Sequence, residues 1–134
     1  ILGPLTNPAG ATSQLIGVAD SSVGETMAKV LGMLGSAHAL VVHGKDGLDE
    51  ISLGDATQVW ELKRGAVSSY TVTPEELGFE RVRRTDLRVS GAKESAEVLR
   101  EVLEGAAGPT RNVVLVNAAG ALLAADRVAA LVAK

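Results

Sequence analysis

The sequence has 134 residues, enough for one domain with a modest core, and its 46% hydrophobic content excludes a disordered chain. A net charge of −3 and a single Trp, Tyr and Phe argue against nucleic-acid binding, because they offer neither a basic face nor a base-stacking surface. The absence of cysteine excludes disulfides, thiolate metal sites and a cysteine nucleophile, and we expect a cytoplasmic protein.

Neither a membrane span nor a signal peptide is predicted. The longest nearly apolar stretch, residues 113–125, is too short and too rich in alanine to cross a bilayer. No charged segment followed by an apolar one opens the chain. The sequence starts with Ile1 rather than Met, within what reads as a motif, so we expect a fragment of a longer polypeptide.

The first third of the chain predicts a loop followed by a βαβ unit. Residues 1–10 contain two prolines and predict a loop without a regular element. Residues 14–19 and 37–43 are short apolar runs that predict buried strands. Between them, a capping box of Ser22 and Glu25 predicts the start of a helix that runs to about residue 34. The apolar face of this helix comprises Met27, Val30, Leu31 and Leu34. Strands joined in this way are parallel, with a right-handed crossover.

The rest of the chain predicts a hairpin and further helices. Residues 57–62 and 67–72 flank a turn and indicate an antiparallel hairpin. Residues 73–78 predict a helical turn capped by Thr73, and residues 79–89 an irregular segment. Helices are predicted over 93–104, from about 110, and over 126–134 as a second piece or a continuation. The apolar face of the helix at 93–104 comprises Ala96, Leu99, Val102 and Leu103. The fold class is therefore α/β, with a mixed, mainly parallel sheet flanked by helices.

The second predicted strand ends abruptly in His43-Gly44-Lys45-Asp46-Gly47-Leu48-Asp49-Glu50. In open α/β sheets, ligands bind at the carboxyl ends of the strands. Adjacent carboxylates are hard oxygen ligands that suit Mg²⁺, which takes one or two carboxylates together with water and substrate phosphates. The sequence thus predicts a Mg²⁺ site at Asp49 and Glu50, with a solvated acidic turn as the alternative.

Other polar residues allow both a structural and a chemical interpretation. We interpret His43 as hydrogen-bonded at a strand end, although it is also a candidate acid or base, and His38 as a surface residue. Asn117 lies in an apolar helix and is predicted to tie down a neighbouring backbone loop. A solvated face, rather than a phosphate site, is predicted for Arg81, Arg83, Arg84 and Arg88. The sequence has no serine-hydrolase elbow, Walker loop or dinucleotide fingerprint.

Two motifs together resemble those of the anthranilate phosphoribosyltransferases, in the nucleoside phosphorylase and phosphoribosyltransferase superfamily. One is the loop Ile1-Leu2-Gly3-Pro4-Leu5-Thr6-Asn7-Pro8, and the other is His43-Gly44-x-x-Gly47-Leu48-Asp49-Glu50. Residues 14–18, 57–70 and 111–119 fall in the order expected for this family. The resemblance therefore covers nearly the whole chain.

The resemblance implies transfer of phosphoribose from phosphoribosyl pyrophosphate to anthranilate in tryptophan biosynthesis, with Mg²⁺ and with release of pyrophosphate. It also implies a small helical domain beside a larger α/β domain, and a homodimer. Asp49 and Glu50 would be the acidic pair that binds Mg²⁺. Substrate binding, beside the path by which anthranilate enters, is implied for Gly3, Pro4, Asn7 and Pro8.

Several motifs of the family are missing from residues 1–134: its Gly-Thr-Gly-Gly-Asp phosphate loop, its Asn/Ser/Thr phosphate-binding segment, its Lys-His-Gly segment and an upstream arginine. We therefore expect the carboxyl-terminal part of the α/β domain, inactive alone, with the amino-terminal part of the enzyme as its partner. Residues 51–57 also depart from the family, which usually carries a proline there. Two alternatives are a pyrimidine nucleoside phosphorylase, which the run Gly47-Leu48-Asp49-Glu50 disfavours, and a non-catalytic regulatory relative, which the intact acidic pair disfavours.

Overall fold

The computed structural model describes residues 2–130. In chain order its elements are α1 (Leu2–Leu5), β1 (Ser13–Gly17), α2 (Gly24–Met33), β2 (His38–Gly44), β3 (Thr57–Lys63), β4 (Ala66–Val72), α3 (Ala92–Leu103) and α4 (Pro109–Ala124). Two short 3₁₀ helices, Ser21–Val23 and Arg84–Leu87, precede α2 and α3. The predicted strands and the helices α2, α3 and α4 are confirmed, with ends shifted by a few residues.

The strands form one sheet in the order β1-β2-β3-β4. β1 and β2 are parallel and joined through α2, which confirms the βαβ unit. The α/β class and the mixed sheet are confirmed, but only one of the three pairings is parallel, whereas the sequence predicted mainly parallel strands. The reason is local connectivity, since β3 and β4 are joined by the turn Arg64-Gly65, whose positive φ angles of 52° and 79° suit a tight hairpin.

β2 is the centre of the core because its side chains are buried on both faces of the sheet. Leu40 and Val42 pack on the side covered by α4. Ala39 and Val41 pack on the side covered by α2. Alternate residues of a strand point to opposite faces, so two covering helices explain why this strand is a continuous apolar run.

The start of the chain differs from its prediction. Leu2–Leu5 form one helical turn, where the sequence predicted a loop without a regular element. Pro4 is compatible with this turn because the first residues of a helix need no backbone donors. Ile1 lies outside the described residues.

The predicted capping box of α2 is wrong. Asp20 instead caps the 3₁₀ helix Ser21–Val23 that precedes α2, because its Oδ1 accepts a hydrogen bond from Ser22 N at 2.9 Å, and Val23 at the N-cap of α2 makes no side-chain hydrogen bond. Glu25 forms an ion pair with Lys29, one turn further on. The buried face of the helix comprises Gly24, Met27, Ala28 and Leu31, whereas Leu34 beyond its end is exposed.

The two carboxyl-terminal helices also differ in detail from the prediction. α3 buries none of its residues, and Leu99 and Leu103 on its predicted apolar face are 63% and 79% exposed. α4 ends at Ala124, and Asp126 has a φ of 53°, so the predicted helix is wrong for residues 126–130. Residues 131–134 of that prediction lie outside the described part. Within residues 2–130, no helix combines the length and apolarity needed to cross a membrane.

His38 is not the surface residue that the sequence predicted, because it is only 2% exposed. Its Nε2 lies 2.8 Å from Glu61 Oε1, and its Nδ1 lies 3.2 Å from Asp126 Oδ1. Lys63 also contacts Asp126, at 3.1 Å. This cluster attaches the segment after α4 to the start of β2.

Replacing His38 with Leu should lower the free energy of unfolding by about 2–3 kcal/mol, because the mostly buried carboxylate of Glu61 loses its contact with the imidazole and keeps its hydrogen bond to Tyr70. Urea unfolding of the two proteins measures the difference. The double variant His38→Leu/Glu61→Leu should regain part of the lost stability, since the under-satisfied carboxylate is then absent. A double variant no more stable than the single one would contradict this explanation.

Candidate functional site

The predicted acidic loop follows β2 as a closed turn. Gly47 N donates a hydrogen bond to Gly44 O at 2.8 Å, and Gly47 has a φ of 86°, a conformation that favours glycine. Gly44 N donates in turn to Leu48 O at 2.8 Å. The chain therefore returns to the end of β2 immediately before Asp49 and Glu50.

The side chain of Asp46 holds this loop from within. Its carboxylate accepts hydrogen bonds from Ser52 Oγ at 2.7 Å and from Leu48 N at 3.3 Å. A Cβ atom at Gly44 would lie 2.6 Å from one carboxylate oxygen, and a Cβ atom at Gly54 would lie 2.7 Å from the other. Glycine at both positions therefore leaves the space that the carboxylate fills.

Asp49 and Glu50 lie at the carboxyl-terminal edge of β1 and β2, as predicted. The carbonyl oxygen of Asp49 packs against Gly17, the last residue of β1, where any Cβ atom would overlap it. Both acidic residues are exposed. Within residues 2–130, neither carboxylate forms a hydrogen bond or an ion pair with another residue. The pair is therefore accessible to an external ligand.

The chemistry of this pair fits a Mg²⁺ ion that shares its coordination with other ligands. Carboxylates are the hard oxygen donors that Mg²⁺ prefers, and one or two of them suffice when phosphates and waters occupy the other positions. No group of three or more His, Cys, Asp or Glu residues able to hold a metal occurs in the described part of the chain. Asp49 and Glu50 thus suit an ion that arrives with a phosphate ligand better than a closed protein site.

The electrostatics of the pair agree with a cation site. Burial raises the pKa of Glu50 above its usual value, and the negative charge of Asp49 raises it further. The negative charge of Asp49 therefore opposes the ionisation of Glu50, and a bound cation would relieve this repulsion. A functional site is one common cause of such a perturbed carboxyl group.

The segment that follows Glu50 is buried and attached to α4. Ile51 and Leu53 are completely buried. Asn117 Oδ1 accepts a hydrogen bond from Ile51 N at 2.9 Å, and Asn117 Nδ2 donates to Ile51 O at 3.1 Å. The prediction that Asn117 ties down a backbone loop is confirmed. Ser52 N also donates to Thr57 Oγ1 at 2.9 Å, so this segment is fixed without the family's proline.

His43 has the structural role that we preferred for it. Its Nδ1 lies 2.8 Å from Val18 O. A carbonyl oxygen can only accept, so Nδ1 carries the proton and His43 connects β2 to the chain that continues β1.

The structure does not bring the two family motifs together. Pro4 and Asn7 line a cavity with Thr12 and Ser36, which precede β1 and β2. This is the amino-terminal edge of the sheet, opposite to Asp49 and Glu50. Gly3, Asn7 and Pro8 are exposed and Pro4 is half-buried. Their role in substrate binding stays a prediction.

The arginines of the predicted solvated face are mostly neutralised by carboxylates. Arg81 contacts Glu75 at 2.8 Å and Asp55 at 3.2 Å. Arg83 contacts Asp86 at 2.9 Å. Arg84 differs, because its Nη1 donates to Asp46 O at 3.0 Å and so places a guanidinium beside the acidic loop.

The sequence analysis did not single out Asp46 or Ser52, and it placed Arg84 on a solvated face rather than beside the acidic loop. Asp46 could have been recognised as a turn residue, since Asp followed by Gly is a common turn pair whose side chain bonds the backbone two residues on. Ser52 reaches Asp46 from six residues further along the chain, because the loop closes on itself. Nothing local indicates that Arg84 reaches this loop, since its partner lies 38 residues away in the sequence.

Comparisons with known proteins agree with this architecture. The profile of the glycosyl transferase family, a/b domain, matches residues 1–133. An anthranilate phosphoribosyltransferase from Symbiobacterium thermophilum is 53% identical over 131 residues, which are 98% of this chain and 38% of the relative. One from Thermomicrobium roseum is 55% identical over 129 residues, which are 94% of this chain and 37% of the relative. The chain thus spans less than two-fifths of the length of these relatives.

Solved structures of proteins with the same name share the fold. The anthranilate phosphoribosyltransferase from Thermus thermophilus superposes with a TM-score of 0.88 and 38% identity, over 97% of this chain and 38% of the other. The one from Saccharomyces cerevisiae in complex with PRPP and Mg superposes with a TM-score of 0.84 and 26% identity, over 98% of this chain and 38% of the other.

Without added divalent cations, Glu50→Gln should raise the free energy of unfolding at about pH 7. Because the pKa of Glu50 is raised in the folded state, its carboxyl stays protonated to a higher pH there than in the unfolded state. The stability of the protein therefore falls as the pH rises above the usual pKa of this carboxyl, 4.5. The substitution removes this loss.

The gain should disappear at about pH 3.5, where Glu50 is protonated in both states. Urea unfolding at the two pH values measures the effect, with Glu97→Gln on the exposed face of α3 as the matched control. An equal gain at both pH values would contradict the electrostatic explanation.

Proposed function

The chain belongs to the glycosyl transferase family through its a/b domain, and on this premise we propose that it forms part of an anthranilate phosphoribosyltransferase. The proposed reaction transfers phosphoribose from phosphoribosyl pyrophosphate to the nitrogen of anthranilate, giving N-(5-phosphoribosyl)anthranilate and pyrophosphate. The observation that carries the proposal is the exposed Asp49–Glu50 pair at the ligand-binding edge of the sheet, in a chain 53% identical to an enzyme of that name.

The proposed enzyme is larger than the chain, which corresponds to 38% of the length of its relative from Symbiobacterium thermophilum. Residues 1–134 would be the carboxyl-terminal part of the α/β domain and would supply its acidic loop. The glycine-rich phosphate loop and the helical domain would come from the amino-terminal part of the enzyme, without which this chain is inactive. A homodimer and a cytoplasmic location are further predictions of the same family resemblance.

Asp49 and Glu50 are proposed to hold the Mg²⁺ ion of this reaction. When bound, Mg²⁺ supplies positive charge that stabilises the departing pyrophosphate without a proton transfer. The Saccharomyces cerevisiae structure with PRPP and Mg supports this cofactor for the family. The chain's own task is to hold the two carboxylates side by side, which the hydrogen bonds of Gly44 and Asp46 achieve through the loop backbone.

Much of the remaining rate would come from positioning the two substrates. Gly3, Pro4, Asn7 and Pro8 are proposed to contribute to the anthranilate side of the site, on the family resemblance alone. Their cavity at the opposite edge of the sheet gives them no contact with Asp49 or Glu50 among the described residues.

The test is a chimera in which this chain replaces the matching segment of the Symbiobacterium thermophilum enzyme. The parent chimera should form phosphoribosyl-anthranilate in the presence of Mg²⁺. Asp49→Asn with Glu50→Gln should lower turnover by about a hundredfold or more, because the proposed metal ligands are lost while their size is kept. The consumption of anthranilate, followed by its fluorescence, measures turnover.

The control is a second pair of acid-to-amide changes, Glu97→Gln with Glu101→Gln on exposed α3, which alters the net charge equally and should leave turnover unchanged. An Asp49/Glu50 variant as active as this control would rule out the metal assignment. A parent chimera that folds but makes no product would contradict the proposed reaction.

A further inference from the structure

Two neighbouring positions on α4 hold the residue that follows Glu50. Asn117 binds both backbone groups of Ile51, through hydrogen bonds of 2.9 and 3.1 Å. One helical turn away, a Cβ atom at Gly120 would lie 2.8 Å from Ile51 Cδ1, so the absence of a side chain there admits the side chain of Ile51. α4 therefore holds Ile51 by its backbone and by its side chain.

The orientation of the Asn117 amide is itself fixed. Its Nδ2 also donates to Val113 O, one turn earlier in α4, at 3.0 Å. The amide thus makes three hydrogen bonds, and the oxygen and nitrogen are distinguished because one must accept from Ile51 N and the other must donate to two carbonyls. Such an amide pairs with both backbone groups of Ile51 as a neighbouring strand would, and it restrains the peptide groups on either side of this residue.

We infer that Asn117 is a positioning residue for the Mg²⁺ site, which it sets by fixing the backbone at Ile51 next to Glu50. This inference rests on the proposed function of Asp49 and Glu50. Residues that hold metal ligands in place contribute to metal affinity although they do not touch the metal. The two acids lie between this attachment to α4 and the closed turn at Gly44, so both ends of the short acidic segment are fixed.

The experiment is a Mn²⁺ titration of this chain within the chimera described above, with pyrophosphate present as the phosphate ligand, followed by the paramagnetic broadening of the Asp49 and Glu50 backbone amide signals in NMR spectra. Mn²⁺ replaces Mg²⁺ as the probe because it prefers the same oxygen ligands. In Asn117→Leu, which keeps the volume but removes all three hydrogen bonds, we expect the apparent dissociation constant to rise by roughly tenfold.

Gln58→Leu is the matched control. Gln58 also uses its amide to bind backbone, through Nε2 to Tyr70 O at 2.9 Å, but it does so between β3 and β4. It should lower stability without changing the apparent dissociation constant for Mn²⁺. Equal affinities of Asn117→Leu and Gln58→Leu would overturn the positioning role.

A measurement on the unaltered chain covers the case in which Asn117→Leu does not fold. Coupling between two sites is reciprocal. If the hydrogen bonds between Asn117 and Ile51 favour metal binding, bound metal must in turn stabilise those hydrogen bonds. Saturating Mg²⁺ should therefore slow hydrogen exchange of the Ile51 amide, and unchanged exchange with the metal bound would refute the coupling.

The parent titration separates the two proposals. If the unaltered chain shows no broadening at Asp49 and Glu50, the metal site of the proposed function fails and the inference falls with it. If the parent chain and the Asn117 variant bind Mn²⁺ equally well, only the positioning role fails.

Discussion

The complete burial of β2 between two helices is the constraint on which the rest of the structure depends. Leu40, Val41 and Val42 have no exposed surface, so polar groups can meet solvent only at the ends of this strand. At its start, His38 is buried and is accompanied by two carboxylates. At its end, Gly44 opens the acidic loop. The burial of β2 therefore explains why both charged clusters lie at the ends of this strand.

The acidic loop places an unfavourable pair of carboxylates next to a buried, hydrogen-bonded segment of the chain. Partial burial of Glu50 raises the pKa of its carboxyl, and the adjacent negative charge of Asp49 raises it further. Against this, Ser52 and Thr57 are buried and satisfied by hydrogen bonds within the same segment, and Ile51 and Leu53 fill the core. Under the proposed function, the stability lost to this repulsion is the cost of holding two carboxylates ready for a cation, and such a loss is common where activity requires it.

The sequence predicted most features that depend on local pattern, and two of its errors, at His38 and in the share of parallel pairings, originate in contacts between distant residues. The strands, the main helices and the acidic loop follow from periodicity and turn chemistry. Asn117 was predicted correctly because a buried amide in an apolar helix must find backbone partners. His38 was predicted at the surface, but its partners are 23 and 88 residues away in the sequence. The number of parallel pairings likewise depends on which strands become neighbours in the sheet. The sequence of a single strand does not determine its neighbours.

The distribution of cations defines which part of a phosphate-transfer site this chain can supply. A pyrophosphate group needs several positive charges or backbone donors directed at its oxygens. Among the described residues, Arg81 and Arg83 already balance nearby carboxylates, and Lys63 contacts Asp126. Arg84 is the guanidinium that touches the acidic loop, and it binds a carbonyl there. In the proposed enzyme this chain would therefore supply the carboxylates that hold the metal.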